Sequence, residues 1–179
     1  MPTALVLIAD GFEEIEAIAP VDLLRRAGVE VTVASLAEQP HVTGRCGITM
    51  HADTALSAVG GRLFDLLFLP GGPGVKNLRA DPRVDTVVKS HAAEGKWVAA
   101  ICAAPTVLNA AGLLEGRRYT AHFSVAGELP NILADQRVVA DGKILTSRGA
   151  GTALDFGLML VEKLVSADKA RDIARSICS

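Results

Sequence analysis

Cys102 follows the apolar run Trp97-Val98-Ala99-Ala100-Ile101 and precedes Ala103-Ala104-Pro105. The run reads as a short buried strand, and a proline fits the first turn of a helix, where its missing N–H costs little. A cysteine on a strand-to-helix turn with small neighbours follows the logic of a nucleophile elbow, with a thiol in place of a hydroxyl. The partial positive charge at the start of the next helix favours thiolate, so the thiol pKa is expected to be lowered. The competing reading is a buried structural cysteine, because free cysteine is among the most buried residue types.

Three further places carry usable chemistry. Gly71 and Gly72 stand in Pro70-Gly71-Gly72-Pro73-Gly74, directly after another apolar run. Glycines there let backbone N–H groups approach a ligand, and Gly72 with Ala103 can form an oxyanion hole. A plain turn explains the same residues. Glu16 lies four residues before Pro20, which removes the hydrogen bond to the Glu16 carbonyl and should loosen the helix beside it. A carboxyl packed against a thiol would have a raised pKa and could move a proton. The plainer alternative, preferred for Glu13 and Glu14, is that these acids decorate a helix N-terminus. His122 can orient Cys102 or shuttle protons, or be an ordinary polar histidine. His41, His51 and His91 suggest no role.

These residues need a frame to bring them together. Apolar runs at 4–9, 30–35, 63–69, 97–101 and 143–147 read as strands, continuous enough for a parallel sheet covered on both faces. Helical patterns fill 13–27, 83–94, 103–111, 152–165 and 166–177. Gly28, Gly95 and Gly112 close the first three, Thr152-x-x-Asp155 suggests a capping box and Ser166 an N-cap. Residues 40–58 read as a hairpin or short edge strands, and 112–137 as mixed. Alternating strands and helices imply one doubly wound α/β domain over residues 1–179, with right-handed crossovers. Ligands then bind beyond the carboxyl ends of the strands, where Asp10–Glu16, Pro70–Gly74, Cys102–Pro105 and Arg148–Thr152 stand.

Composition narrows the classes. The 179 residues are half hydrophobic with a net charge of −2, and they contain no basic stretch suited to nucleic acid. No apolar run reaches membrane-helix length, and the first residues lack signal-peptide features, so a cytoplasmic protein is expected. Cys46, Cys102 and Cys178 are too few and too widely spaced for a disulfide framework or a C-x-x-C pair. The histidines form no metal-ligand array, and Gly149-x-Gly151 is no dinucleotide fingerprint. Neither a metal nor a cofactor is expected.

Together the segments ALVLIADGFEEIE (4–16), PVDLLRRAG (20–28), LPGG (69–72), VAAICAAP (98–105) and LTSRGAGT (145–152) resemble the DJ-1 family of the DJ-1/ThiJ/PfpI superfamily. The resemblance implies a flavodoxin-like three-layer α/β sandwich, with a mainly parallel central sheet and helices on both faces. It also implies a homodimer, with the helix bearing Glu16 at the interface. Cys102 matches the family's oxidation-prone nucleophile, Glu16 its hydrogen-bonding acid, His122 a nearby histidine, and Gly72 and Ala103 the backbone donors. The protease branch has histidine directly after the cysteine; Ala103 stands there instead, which argues against a Cys-His protease. The activity implied is cofactor-independent conversion of small dicarbonyls such as methylglyoxal and glyoxal to hydroxy acids, with removal of early glycation adducts also proposed. A redox sensor or stress-linked chaperone using the same thiol is the alternative, and a cysteine hydrolase a third.

Overall fold

The computed structural model describes every residue from Met1 to Ser179. A seven-stranded sheet has the order β5-β2-β1-β6-β7-β9-β8. Its strands are β1 (Thr3–Ile8), β2 (Glu30–Ser35), β5 (Thr54–Ala55), β6 (Leu66–Leu69), β7 (Trp97–Ile101), β8 (Val138–Asp141) and β9 (Ile144–Ser147). All neighbours are parallel except β8, which pairs antiparallel with β9 across the tight turn at Gly142. Strands β3 (His41–Thr43) and β4 (Thr49–His51) form a separate antiparallel hairpin. The helices are α1 (Glu14–Arg26), α2 (Leu56–Val59), α3 (Val75–Ala80), α4 (Pro82–Ala93), α5 (Pro105–Ala110), α6 (Ala153–Leu164) and α7 (Ala167–Ser176).

The period-2 geometry of the central strands divides the core in two. Ala4, Val6, Ile8, Leu66, Phe68, Ala99 and Ile101 face a layer with Leu23 and Leu24 of α1 and Phe156 and Leu160 of α6. Leu5, Leu7, Leu67, Leu69, Val98 and Ala100 face the opposite layer, with Leu78 of α3, Val84 and Val88 of α4 and Leu108 of α5. Both faces are covered, which is why these strands are continuously apolar. Phe68 and Phe156 meet edge to face with centroids 5.4 Å apart. Such a pair adds about 0.5–1.5 kcal/mol beyond its burial. On the same side α6 comes close to α1: a Cβ at Gly157 would lie 2.6 Å from Leu23 Cδ1 and 3.1 Å from Pro20 Cα.

Several expectations need correction. The third run is strand only from Leu66, and the short helix α3 directly after the glycine turn was not foreseen. Helix α5 begins at Pro105, not at Ala103, and α1 continues through Pro20 without a break. Thr152 does not cap α6 with its side chain; its hydroxyl is engaged with Ser147 Oγ and the Gly149 carbonyl. Ser166 does cap α7, accepting from the Lys169 N–H. No helix is long and apolar enough to cross a membrane.

Candidate active site

The carboxyl ends of β1, β6, β7 and β9 converge on Cys102. Its backbone is in the left-handed region, with φ 66°. A β-carbon crowds the following carbonyl there, at a cost of about 1–2 kcal/mol. Strain of this kind persists only where the surroundings hold it. Two backbone bonds do so: the Cys102 N–H donates to the Ser147 carbonyl, and the Cys102 carbonyl accepts the His122 N–H, both at 2.9 Å. The turn lifts the side chain off the strand end into a cleft of about 360 Å³, lined by Glu13, Glu16, Arg45, Gly72, Ala103 and His122 among others.

Glu16 reaches this cleft from the first turn of α1 and is 1% exposed. Its Oε2 accepts the Gly71 N–H at 3.0 Å, and its carboxyl shares a hydrogen bond with the Cys102 thiol. The Gly71 position admits no larger residue, since a Cβ would overlap Glu16 Oε2 and lie 2.6 Å from Cys102 Cβ. Glu13 is the N-cap of α1; its Oε2 accepts the Glu16 N–H at 2.8 Å, which fixes the backbone beneath the acid.

The electrostatics reverse one expectation. Burial, above all, pushes Glu16 from its ordinary 4.5 to about 7, with the nearby Glu13 charge adding to the rise. Burial likewise pushes the Cys102 thiol up to about 12, helped by the negative charge and hydrogen bond of Glu16. The N–H groups of Gly72 and Ala103 point at the sulfur and pull the other way, without overcoming these effects. The expected lowering of the thiol pKa by the helix is therefore not found. Helix α5 starts three residues beyond Cys102 and is only six residues long, so its end is a weak counterweight to desolvation. The pair titrates as a unit. Burial thus holds both members of the pair toward their neutral, protonated forms.

His122 lies in the same cleft, in the segment leading into a short 3₁₀ turn at Phe123–Val125. Its Nδ1 accepts the Ser124 N–H at 3.2 Å and lies 2.8 Å from Ser124 Oγ. The structure thus brings Cys102, Glu16, His122, Gly72 and Ala103 together. It leaves Arg148, also placed on this edge by the sequence, on the exposed surface outside the cleft lining.

Sequence reasoning missed the contribution of the hairpin. Glu14 is no surface ornament: it is buried, and its Oε1 accepts the N–H groups of Cys46 at 2.8 Å and Ile48 at 3.3 Å. A Cβ at Gly44 would overlap this carboxyl. The clamp holds the hairpin tip against α1, so Arg45 lines the cleft. Nothing periodic marks Arg45 in the sequence; only the docking of the hairpin brings it to the thiol.

Fold and site define a doubly wound α/β protein with a cysteine on a strand-to-helix elbow beside a buried carboxyl. The chain belongs to the DJ-1/PfpI family, whose model matches residues 2–163. It is 41% identical to protein DJ-1 homolog A of Arabidopsis thaliana, a match covering 96% of this chain and 45% of that protein; the chain thus spans less than half of this relative. It is 34% identical to the glutathione-independent glyoxalase DJR-1.2 of Caenorhabditis elegans, covering 98% of this chain and 96% of that one. The crystal structure of Drosophila melanogaster DJ-1beta superposes with a TM-score of 0.95 at 38% identity, covering 99% and 97% of the two chains.

Proposed function

We propose that this chain is a glutathione-independent, cofactor-independent glyoxalase that converts methylglyoxal or glyoxal to the corresponding hydroxy acid. The observation that carries the reading is the Cys102 thiol on its elbow, hydrogen-bonded to a buried carboxyl titrating near 7 and faced by two backbone N–H groups. A general base works best with a pKa close to the operating pH. As Cys102 Sγ adds to the aldehyde carbon, its proton passes to Glu16. The C–S bond forms, and the carbonyl oxygen becomes an oxyanion held by the Gly72 and Ala103 N–H groups. Glu16 returns that proton to the oxyanion; His122 and the freed Glu16 carboxylate then carry the proton of the former aldehyde carbon to the adjacent carbon, while the hydroxyl proton passes to that carbon's carbonyl oxygen, leaving a thioester of the hydroxy acid. Water cleaves the thioester, returning the thiol. Dicarbonyl plus water gives hydroxy acid, with no external oxidant or reductant. The glyoxalase relative from Caenorhabditis elegans supports the assignment.

Purified protein, free of glutathione, should form lactate from methylglyoxal, and Cys102→Ser should abolish this. Equal turnover in Cys102→Ser would overturn the reading. A second reading, a redox sensor, uses the same thiol and is favoured by the relative from Toxoplasma gondii solved in oxidized form. It predicts that peroxide oxidises Cys102 before the exposed Cys46, and that Glu16→Leu removes this preference.

The chain is further proposed to act as a homodimer. Ile15 and Ile18 on α1, Leu154 on the adjoining α6 and Ile48 on the clamped hairpin tip are all exposed, an apolar set suited to a second copy. Sedimentation of wild type and Ile18→Arg distinguishes dimer from monomer. No partner besides this copy and the dicarbonyl is proposed, and the site lies at the exposed edge of the sheet, where a small substrate can enter.

A further inference from the structure

We propose that the β3–β4 hairpin carries a two-histidine chelate for a divalent transition-metal ion of the copper, nickel and zinc group, away from the thiol. His41 and His51 are cross-strand partners. The flanking bonds, Gly44 N–H to the Ile48 carbonyl and Ala52 N–H to the Pro40 carbonyl, put them at a non-hydrogen-bonded pair. Opposed side chains stand closest at such pairs. The alternation of the strands sends Val42 and Met50 inward, and His41, Thr43, Thr49 and His51 to solvent. The Thr43 and Thr49 hydroxyls, 3.0 Å apart, mark the same face one pair further along.

The rings are already spaced as two ligands of one ion would be. Their centroids are 5.0 Å apart and their planes 68° to one another. With metal–nitrogen bonds of about 2.1 Å, two imidazoles on adjacent coordination positions place their centroids about 4.5–5.5 Å apart. Neither ring makes a hydrogen bond within the chain, so each has a nitrogen free to ligate, whereas His91 and His122 are both engaged. The one cation beside His41 in its cleft, Arg83, is answered by Asp81 at 2.7 Å and Glu38 at 3.9 Å. No third histidine, cysteine or carboxylate stands close enough to join, so water completes the coordination sphere. Imidazole donors suit copper, nickel and zinc, and copper binds tightest of the three. A surface chelate of this kind is open and exchangeable, and the ion would tie the two strands together.

Calorimetric titration of the untagged full chain with Ni2+ tests the proposal. One ion per chain should bind, and either His41→Ala or His51→Ala should weaken binding roughly tenfold or more, since even outer-shell changes cost 10–100-fold. The double variant should lose no more than either single one, because a chelate fails when one arm is gone. Cu2+ gives an independent check: NMR broadening should centre on residues 41–51, and the frozen-solution EPR spectrum should show coupling to two nitrogens. Undiminished binding in the double variant, or losses that simply add, would overturn the chelate. So would broadening centred on the cysteines.

Discussion

Replacing Glu16 by Gln should remove a steep pH dependence from the stability of this chain. The Glu16 carboxyl rises from 4.5 to about 7 on folding, chiefly through burial. The folded chain therefore holds a proton that the unfolded chain releases between these values. The stability from that proton is fully present below about 4.5 and is lost as pH rises through about 7. Roughly 2.5 pH units at 1.36 kcal/mol each give about 3 kcal/mol, an order-of-magnitude figure. Solvent screening takes little from it, because Glu16 is 1% exposed. Glutamine keeps an oxygen for the Gly71 N–H but has no proton to lose. Urea unfolding of both proteins from about pH 5 to about pH 8 provides the assay, and this range avoids ionisation of the unfolded thiols. Across this range the difference in unfolding free energy should shift by about 2.5 kcal/mol in favour of Gln as pH rises, the rest having been lost below about pH 5. Parallel curves across the range would refute the reasoning, since they would mean that Glu16 titrates alike folded and unfolded.

The strain at Cys102 predicts that Cys102→Gly is more stable than Cys102→Ala by about 1 kcal/mol, the left-handed cost outweighing the chain entropy of glycine; chemical denaturation decides it. Gly71→Ala should cut lactate formation roughly tenfold or more, because the added methyl must displace Glu16 or Cys102 from a placement on which reaction depends steeply. Gly157→Ala should cost about 1–3 kcal/mol and lower Tm by several degrees in calorimetry, as the close approach of α6 to Pro20 has no room for a methyl.

Strands β1 and β7 were legible because a strand covered on both faces must be apolar without interruption. The strand-end rule gathers Glu16, Gly72 and Cys102 from the sequence alone. What the sequence hid depends on long-range packing. Glu13 and Glu14 look alike as helix-start acids, yet one caps α1 inside the cleft and the other is buried under the hairpin. The direction of the thiol shift was misread for the same reason: the helix end is local and visible, whereas the desolvation that outweighs it comes from segments far apart in the chain. Strand β8 escaped notice because an edge strand that is mostly half-buried lacks a continuous apolar signal.

The Gly71–Glu16 hydrogen bond joins residues 55 positions apart, and Cys102 adds a third turn of the chain to the same point. Contacts so distant in sequence repay their loop-closure cost only once the segments have been brought together. An incompletely folded chain therefore holds a thiol of ordinary, solvent-exposed character. The titration of Cys102 is consequently a spectroscopic clock for refolding: it reports when the separate βα units have closed into one sheet, a moment that far-UV signals from individual helices do not mark.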